Sequence, residues 1–286
     1  TTDLVFSGAC IIGENGRLLA ESKRFSFESE IIIADIDITA LRHDKLVNTN
    51  IISSASGFVT EIDCLTEPIY PDKMYRKFNP HPFIPSKEEE NDSFTELFNI
   101  QTHGLAKRLL HTGVDKAVIG ISGGLDSTLA LLVAVKTFDL LGYSRENIHG
   151  ITMPGMGTTS RTYTNAVSLM KSSGVTVKEI SITDAVMQHF DDIGHDPAKH
   201  DVTYENSQAR ERTQILMDYS NKVGGLVVGT GNMSELALGW ATYNGDHMSM
   251  YGVNSGVPKT LVSSLVHWIA DTQLDNASGK ILHDIL

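Results

Sequence analysis

The sequence predicts an α/β fold, in which a mostly parallel sheet carries helices on both faces and a small β-rich segment precedes it. Four short apolar runs have the composition of buried strands, at 117–121, 148–153, 175–182 and 226–228. Their first residues are 31, 27 and 51 positions apart, which leaves room for a helical crossover between successive parallel strands. Ligands of such sheets bind beyond the carboxyl ends of the strands, so we expect functional residues just after positions 121, 153, 182 and 228.

The first 46 residues have a β-type pattern. Apolar residues 4–12 predict a strand, Glu14-Asn15-Gly16 a hairpin turn, and 17–21 the return strand. The β-branched run at 30–37 predicts a further, buried strand. Since the chain begins without Met in a strand-like run, we expect it to be a piece of a longer polypeptide.

A proline-rich linker is predicted over residues 47–92. Five of the eight prolines lie between 68 and 85. Because proline lacks a backbone donor and fixes φ, we expect this stretch to run extended over a surface.

The main domain is expected at residues 93–286. Ser93 and Glu96 have the spacing of a capping box, and an apolar helical stripe follows them. Gly113 is placed to end this first helix.

Composition excludes several classes of protein. With 41% apolar and 20% charged residues, the chain has an ordinary globular profile, which excludes disorder and coiled coil. The net charge of −12, without a basic cluster, disfavours nucleic acid as a partner. The longest apolar run, 129–135, is far too short to cross a membrane. Two cysteines, Cys10 and Cys64, cannot form a disulfide framework or a four-ligand zinc site, which favours a reducing cytoplasm.

The strongest functional signal is the glycine-rich stretch 120–128 (GISGGLDST), between the first strand of the main domain and an apolar helix. This arrangement points backbone N–H groups at an anion, and the hydroxyls of Ser122, Ser127 and Thr128 add donors for phosphate. The stretch matches neither the lysine-containing loop of nucleoside triphosphatases nor the GxGxxG dinucleotide loop. Asp126 would repel a phosphate unless a hard cation joined them, so Mg²⁺ is implied. The competing hypothesis is a glycine turn in which Asp126 and Ser127 only cap the helix.

At 122–127 (SGGLDS) the sequence resembles the ATP pyrophosphatases, which cleave ATP between its α and β phosphates. Further stretches are similar to NAD⁺ synthetase in its bacterial glutamine-dependent form: 152–155 (TMPG), 204–210 (YENSQAR), 229–235 (GTGNMSE) and 252–260 (GVNSGVPKT). The resemblance covers 93–286 and implies an adenine-nucleotide α-hydrolase-like fold.

Residues 1–46 resemble the last strands of that family's nitrilase-like glutaminase domain. The glutaminase residues of the family lie upstream of the matched portion, and its members extend past the position of Leu286. The resemblance therefore implies a synthetase domain that is truncated at its C-terminus and cannot hydrolyse glutamine.

The resemblance also implies which residues bind ATP and metal. The ATP set comprises Gly120, Ile121, Ser122, Gly123, Gly124, Leu125, Asp126 and Ser127, with Thr230 after the fourth strand. Asp126 and Glu235 are implied as Mg²⁺ ligands, and Asp126 and Lys259 as the catalytic groups, with the lysine offsetting phosphate charge. The alternative for Glu235 is that it only complements the dipole of a helix that begins at a Ser234 N-cap.

The deamido-NAD site is implied at Asn206, Arg210, Glu235, Trp240, Ala241, Thr242, Tyr243 and Asp246. Simpler explanations stay open for several of these residues. Trp240 and Tyr243 are three positions apart and could equally pack in the core. Asp246 suits an Asx-type turn, and Asn206 with Arg210 suits a charged helical face.

As a whole, the resemblance implies a ligase that amidates deamido-NAD to NAD⁺ at the expense of ATP, through an adenylated intermediate. Ammonia comes from glutamine in the full-length enzyme, and AMP and pyrophosphate are released. Related synthetase domains pair as symmetric dimers, which implies a homo-oligomer. Two other hypotheses remain: another ATP pyrophosphatase, such as a GMP-forming or tRNA-thiolating enzyme, and a non-catalytic nucleotide-binding module. The acidic charge and the lack of a CxxC pair count against tRNA thiolation.

Overall fold

The computed structural model describes residues 3–48, 62, 73–156, 160–274 and 276–286. The chain divides into two compact units, Thr1–Pro80 and His81–Leu286. Cys64 and the first two prolines of the predicted linker, Pro68 and Pro71, lie outside the described residues. Within the part of the chain that is described, no helix has both the length and the apolar character needed to cross a membrane.

The first unit contains an antiparallel hairpin, formed by β1 (Ile11–Glu14) and β2 (Arg17–Glu21). Asn15 and Gly16 have positive φ values of 45° and 77°, as the two central residues of a type I′ turn require. The hairpin prediction is confirmed. Its first strand is shorter than the predicted 4–12, because Gly8 has a φ of 66° and breaks the extended backbone.

Residues 30–37 contradict the predicted buried strand. They have no regular secondary structure, and Ile31 is 86% exposed. A β-branched run becomes a strand only where a neighbour supplies hydrogen bonds and a packing face, and the described residues of this unit supply neither. Instead, Asp37 caps α1 (Ile38–Val47) by accepting a 2.9 Å hydrogen bond from the Ala40 N–H.

Part of the predicted linker is anchored to the first unit. Asp35 accepts hydrogen bonds from the N–H groups of Tyr75 and Arg76 at 2.6 and 2.9 Å. The Arg76 guanidinium lies 2.7 Å from the carboxylate of Glu14. The Asp37 N–H and this guanidinium hold the pKa of Glu14 below its usual value.

The second unit contains α2 (Glu90–Thr112), which starts three residues before the predicted capping box. Ser93 lies inside the first turn, where its N–H donates to the Glu89 carbonyl, so the capping-box prediction is wrong. The helix extends into the acidic run because negative side chains are favourable at a helix N-terminus. Gly113, with a φ of 69°, ends the helix as predicted.

Five strands form the sheet of the second unit: β3 (Ala117–Gly120), β4 (Ile148–Thr152), β5 (Thr176–Glu179), β6 (Leu226–Gly229) and β7 (Tyr251–Gly252). All pair in parallel, in the spatial order β5-β4-β3-β6-β7. The four predicted strands are confirmed. The two-residue β7 is too short to be recognised from a sequence pattern.

Helices cover both faces of this sheet. They are α3 (Leu125–Leu141), α4 (Ser160–Ser172), α5 (Thr183–Ile193), α6 (Val202–Val223), α7 (Met233–Leu238), α8 (Lys259–Thr272) and α9 (Asn276–Ile285). Alternate side chains of β3 point into two separate cores. Ala117 and Ile119 join the core that contains α2, α3 and α8, whereas Val118 packs with Phe190 of α5. The predicted α/β class with two helical layers is confirmed.

The order of the strands creates a crevice beside β3. The chain adds β4 and β5 on one side of β3 and later places β6 on its other side. Connections therefore leave this point of the sheet in opposite directions, which opens a crevice at the carboxyl ends of β3 and β6.

Replacing Phe94 tests the packing of α2 on α8. Its ring is 1% exposed and its centroid lies 6.1 Å from that of Trp268. We expect Phe94→Ala to lower the free energy of unfolding by about 3–5 kcal/mol. Ile100→Ala on the same helix removes a side chain that is 64% exposed, and should change this free energy by less than about 0.5 kcal/mol. Urea titration measures both values, and equal losses would contradict the packing described.

Candidate active site

A cavity of about 720 Å³ lies at the carboxyl edge of the sheet in the second unit. Its walls include Ile121, Met153 and Thr230, which follow β3, β4 and β6. Three of the four positions expected to carry function therefore line the cavity. The fourth does not, because β5 ends at Glu179 and Ile182 is fully buried in the core with α5 and α6.

The glycine-rich loop forms one wall of the cavity. Ser122 Oγ accepts a 3.2 Å hydrogen bond from the Gly124 N–H and lies 3.2 Å from Ser127 Oγ, which donates to the Gly124 carbonyl. Helix α3 begins after Gly124, a residue without a side chain, so no N-cap side chain occupies the first amides of the helix. Asp126 and Ser127 do not cap α3, and the competing capping hypothesis is wrong.

Gly123 allows this loop to lie against α4. Its φ is 83°, in the left-handed region that favours glycine. A Cβ atom at this position would lie 2.1 Å from the carbonyl oxygen of Thr162. The path of the loop past α4 therefore excludes any side chain here.

Asp126 is held by two partners from other parts of the chain. The Lys259 ammonium forms an ion pair with Oδ2, and the Asn232 side-chain amide donates to Oδ1 at 3.0 Å. Lys259 is the first residue of α8, and Asn232 is the N-cap of α7. The carboxylate is therefore paired with a positive charge and oriented within the glycine-rich loop.

Helix α7 begins differently from the prediction. Asn232, rather than Ser234, is the N-cap, and it forms a capping box with Glu235. The Glu235 N–H donates to Asn232 Oδ1, and the Asn232 N–H donates to Glu235 Oε2, both at 3.0 Å. The Ser234 hydroxyl instead accepts from the Lys259 N–H at 3.0 Å, which joins the starts of α7 and α8.

Asp126 and Glu235 suit a hard cation. Both line the cavity, and both carboxylates contact Asn232: Asp126 accepts from its side-chain amide, and Glu235 accepts from its main-chain N–H. Among the described residues no group of three or more His, Cys, Asp and Glu side chains forms a metal site. Mg²⁺ needs no such group, since it is commonly bound by one or two carboxylates together with water and substrate phosphates. The donor set therefore fits this ion.

The residues expected at the dinucleotide converge on the segment 240–246. Thr242 Oγ1 donates to Asn206 Oδ1 at 2.8 Å, and Arg210 Nε donates to the Tyr243 carbonyl at 3.1 Å. Asp246 accepts from the Thr242 N–H at 2.8 Å, four positions back along the chain, whereas an Asx-type turn would have it accept from an N–H two positions further on. Trp240 and Tyr243 are 80% and 76% exposed, which excludes core packing for either ring.

Most of the predicted site residues line the cavity, and the rest surround it. The lining set contains Gly120, Ile121, Ser122, Gly124, Asp126, Ser127, Thr230, Glu235, Trp240, Ala241 and Asp246. The cavity wall does not include Gly123, Leu125, Asn206, Arg210, Thr242, Tyr243 or Lys259. Thr128 does not offer its hydroxyl to the cavity as expected: it is fully buried, because a helix turns by about 100° per residue beyond Ser127.

Sequence reasoning missed Gln208 and Arg212 of α6, which both line the cavity. Arg212 Nε donates to the Met153 carbonyl at 3.3 Å. Burial lowers the pKa of Arg212, while the nearby charges of Glu205 and Asp246 oppose this shift. The four-residue spacing of Tyr204, Gln208 and Arg212 was a usable signal, because it places them in one row on the helix.

The fold and the cavity define an α/β protein with a cavity suited to an anionic ligand, between the loop after β3 and the residues after β6. A family model for NAD synthase matches residues 97–274, and the chain belongs to this family. It is 40% identical, over its whole length, to the glutamine-dependent NAD⁺ synthetase of Mycobacterium leprae. It is 32% identical, over 93% of its length, to that of Thermotoga maritima. The chain spans 44% of the length of each of these relatives.

Solved structures have the same fold. The glutamine-dependent NAD⁺ synthetase of Acinetobacter baumannii in complex with ADP matches with a TM-score of 0.59 at 29% identity, over 66% of this chain and 35% of that chain. The NH₃-dependent NAD synthetase of Campylobacter jejuni matches with a TM-score of 0.55 at 23% identity, over 65% of this chain and 76% of that chain. The second similarity concerns the fold alone.

Gly123→Ala should displace the glycine-rich loop. The added Cβ meets both an unfavourable φ and a backbone oxygen, so we expect nucleotide affinity to fall by at least about tenfold, together with a loss of stability of more than about 1 kcal/mol. Gly142→Ala is the matched control, because Gly142 has a φ of 68° but no atom within 4 Å of its Cβ position. It should lose stability without losing affinity. Calorimetric titration with ATP and urea unfolding separate the two effects, and equal ATP affinity in both variants would contradict this account of the loop.

Proposed function

We propose that this chain is the synthetase part of a glutamine-dependent NAD⁺ synthetase, which uses ATP to convert the nicotinate carboxylate of deamido-NAD into the amide of NAD⁺. The observation that carries this proposal is the arrangement of Asp126, Lys259 and the hydroxyl-lined loop at the carboxyl edge of the sheet. This arrangement offers amides, hydroxyls and an ammonium group to phosphates, and a carboxylate to a cation. Membership of the NAD synthase family supports the same reaction.

The residues that form the cavity suit the β and γ phosphates of ATP at the loop of residues 120–127. Ser122 and Ser127 supply hydroxyls there, and the first amides of α3 supply N–H donors. Mg²⁺ would be held by Asp126 and Glu235, and would neutralise phosphate charge as pyrophosphate leaves. The Lys259 side chain is 51% exposed. If Mg²⁺ took its place beside Asp126, the ammonium group could move from that carboxylate to a phosphate oxygen.

The reaction needs no nucleophile from the protein. The nicotinate carboxylate attacks the α phosphorus, the bond from that phosphorus to the bridging oxygen breaks, and pyrophosphate leaves. Ammonia then attacks the acyl carbon of the adenylate, AMP leaves with the bonding electron pair, and the added nitrogen loses a proton. Positioning and charge neutralisation supply the acceleration in such a reaction.

The wall around residues 240–246 is the proposed contact for deamido-NAD. The exposed rings of Trp240 and Tyr243 can cover a pyridine or ribose face, and Asn206 and Arg210 fix the segment that carries them. In the complete enzyme, ammonia would come from a glutaminase domain. The cytoplasmic location and the homo-oligomeric state stay predictions.

The first test is the reactant requirement of the purified chain. AMP, pyrophosphate and NAD⁺ should form only when ATP, Mg²⁺, deamido-NAD and ammonium are all present, and glutamine should not replace ammonium. Release of AMP with xanthylate or tRNA, but not with deamido-NAD, would favour another ATP pyrophosphatase. Calorimetric binding of ATP and deamido-NAD without AMP formation would favour a non-catalytic module.

Lys259→Met tests the proposed role of the ammonium group. Loss of a charge that stabilises the transition state should lower kcat by about 10²–10³-fold, with a smaller change in the ATP dissociation constant. Lys136→Met on α3 is the matched control, because it makes the same change at an exposed position outside the cavity wall. Steady-state AMP release measures both variants. A kcat for Lys259→Met equal to that of the control would exclude the role.

A further inference from the structure

Two buried amide side chains connect α2 to the segment that follows β7. Gln101 and Asn254 are 6% and 0% exposed, and neither lies in the cavity wall. Gln101 Nε2 donates to the Val253 carbonyl at 2.9 Å and to Asn254 Oδ1 at 3.1 Å. Because Oδ1 is the acceptor of the Asn254 amide, these contacts fix which way that amide faces.

The donor end of Asn254 reaches two parts of the candidate site. Its Nδ2 donates to the main-chain carbonyl of Asp126 at 2.9 Å and to that of Thr230 at 3.1 Å. Asp126 lies in the first turn of α3, and Thr230 immediately follows β6. One amide group therefore joins the start of α3 to the residue that follows β6.

This connection differs from the contacts that hold the Asp126 side chain. Lys259 is half-exposed and can exchange partners, whereas Asn254 is fully buried and has no water to replace a lost partner. The Asn254 amide has a partner at its oxygen and two at its nitrogen, so a changed orientation would leave polar atoms unpaired. Asn254 thus fixes the main chain of Asp126 whatever the side chain binds.

We propose that Asn254 is a positioning residue, oriented by Gln101, that sets the distance between the phosphate-binding loop and the end of β6. The kinetic consequence rests on the proposed function, but the structural consequence does not. If the amide is lost, the start of α3 and residue 230 are free to move apart, and a displacement near 1 Å at a reacting centre can cost about 10²-fold in rate.

Asn254→Asp tests this directly, because it keeps the shape of the side chain and replaces the donor with an oxygen that faces two carbonyls. In the full chain without ligand, amide hydrogen exchange of the segment 120–128 should become about tenfold faster. Gln101→Met removes the donor to Asn254 Oδ1 and to the Val253 carbonyl, leaves the donor end of Asn254 in place, and should have a smaller effect at the same segment. It also serves as the test variant if Asn254→Asp does not fold.

Thr137→Val is the matched control, because Thr137 lies on α3, the helix that also carries Asp126. The Thr137 hydroxyl is fully buried and contacts the Val133 and Thr102 carbonyls at 2.7 and 3.2 Å, far along α3 from Asp126. This variant should speed exchange around residue 137 and leave the segment 120–128 unchanged. The proposal would be overturned if Asn254→Asp and Gln101→Met both fold and leave the exchange rates at 120–128 unchanged. It would also be overturned if Thr137→Val raised those rates as much as they do.

Kinetics provide the second readout. Asn254→Asp should lower kcat/KM for ATP by about 10²-fold per folded molecule, whereas a purely structural loss lowers only the folded fraction. Gln101→Met combined with Asn254→Asp should cost less than the sum of the single changes, because the two residues share one hydrogen bond. Additive effects on kcat/KM, together with unchanged hydrogen exchange at 120–128, would contradict the proposal.

If the unaltered chain shows no turnover, the proposed function fails, but the exchange rates still test the positioning role of Asn254. The two failures are therefore distinguishable.

Discussion

A carboxylate within a loop whose amides and hydroxyls suit an anion is electrostatically unfavourable, and the second unit is arranged around this constraint. Asp126 lies in a loop whose amides and hydroxyls would face an anion, yet its own negative charge would repel that anion. The Lys259 ammonium balances that charge at one oxygen, and the Asn232 amide satisfies the other. Asp126 is in the first turn of α3, Asn232 is the N-cap of α7, and Lys259 is the first residue of α8. The starts of three helices therefore meet at a single carboxylate, and the packing of each helix affects its position.

The contacts around this carboxylate divide into fixed and exchangeable ones. Asn232 and Asn254 are fully buried, and removing a partner from a buried amide costs the desolvation of that amide. Lys259 is half-exposed, where an ion pair contributes little free energy and can be exchanged for another. The two buried amides therefore keep the loop in place, while the Lys259 ammonium is free to pair with a negative charge on a bound ligand. This division suits a site in which charge moves during the reaction but geometry must not.

The parts of the fold that depend on local pattern could be predicted, and the parts that depend on distant contacts could not. The strands from β3 to β6 and the loop after β3 carry their signals within a few residues. Helix starts were less predictable, although Ser93 and Ser234 are residue types that favour the N-cap. Helix α2 starts earlier, within the acidic run before Ser93, and α7 uses Asn232 as its N-cap. The run at 30–37 has strand composition without a neighbour in the described residues of its unit. Asn254 lies in the stretch 252–260 quoted for the resemblance, but its contacts have no local signal, because its partners are 128, 24 and 153 positions away.

Helix α6 connects the two halves of the candidate site through different rows of side chains. Asn206 and Arg210 hold the segment 242–243, whereas Gln208 and Arg212 line the cavity. Two positions along a helix correspond to about 200°, so these pairs face in nearly opposite directions. A cavity of about 720 Å³ matches one nucleotide-sized ligand. Under the proposed reaction, a dinucleotide would extend from the cavity wall at Trp240 onto the exposed ring of Tyr243, on the segment that Asn206 and Arg210 hold. Under the proposed reaction, α6 would then connect the wall that contacts one substrate to the wall that contacts the other.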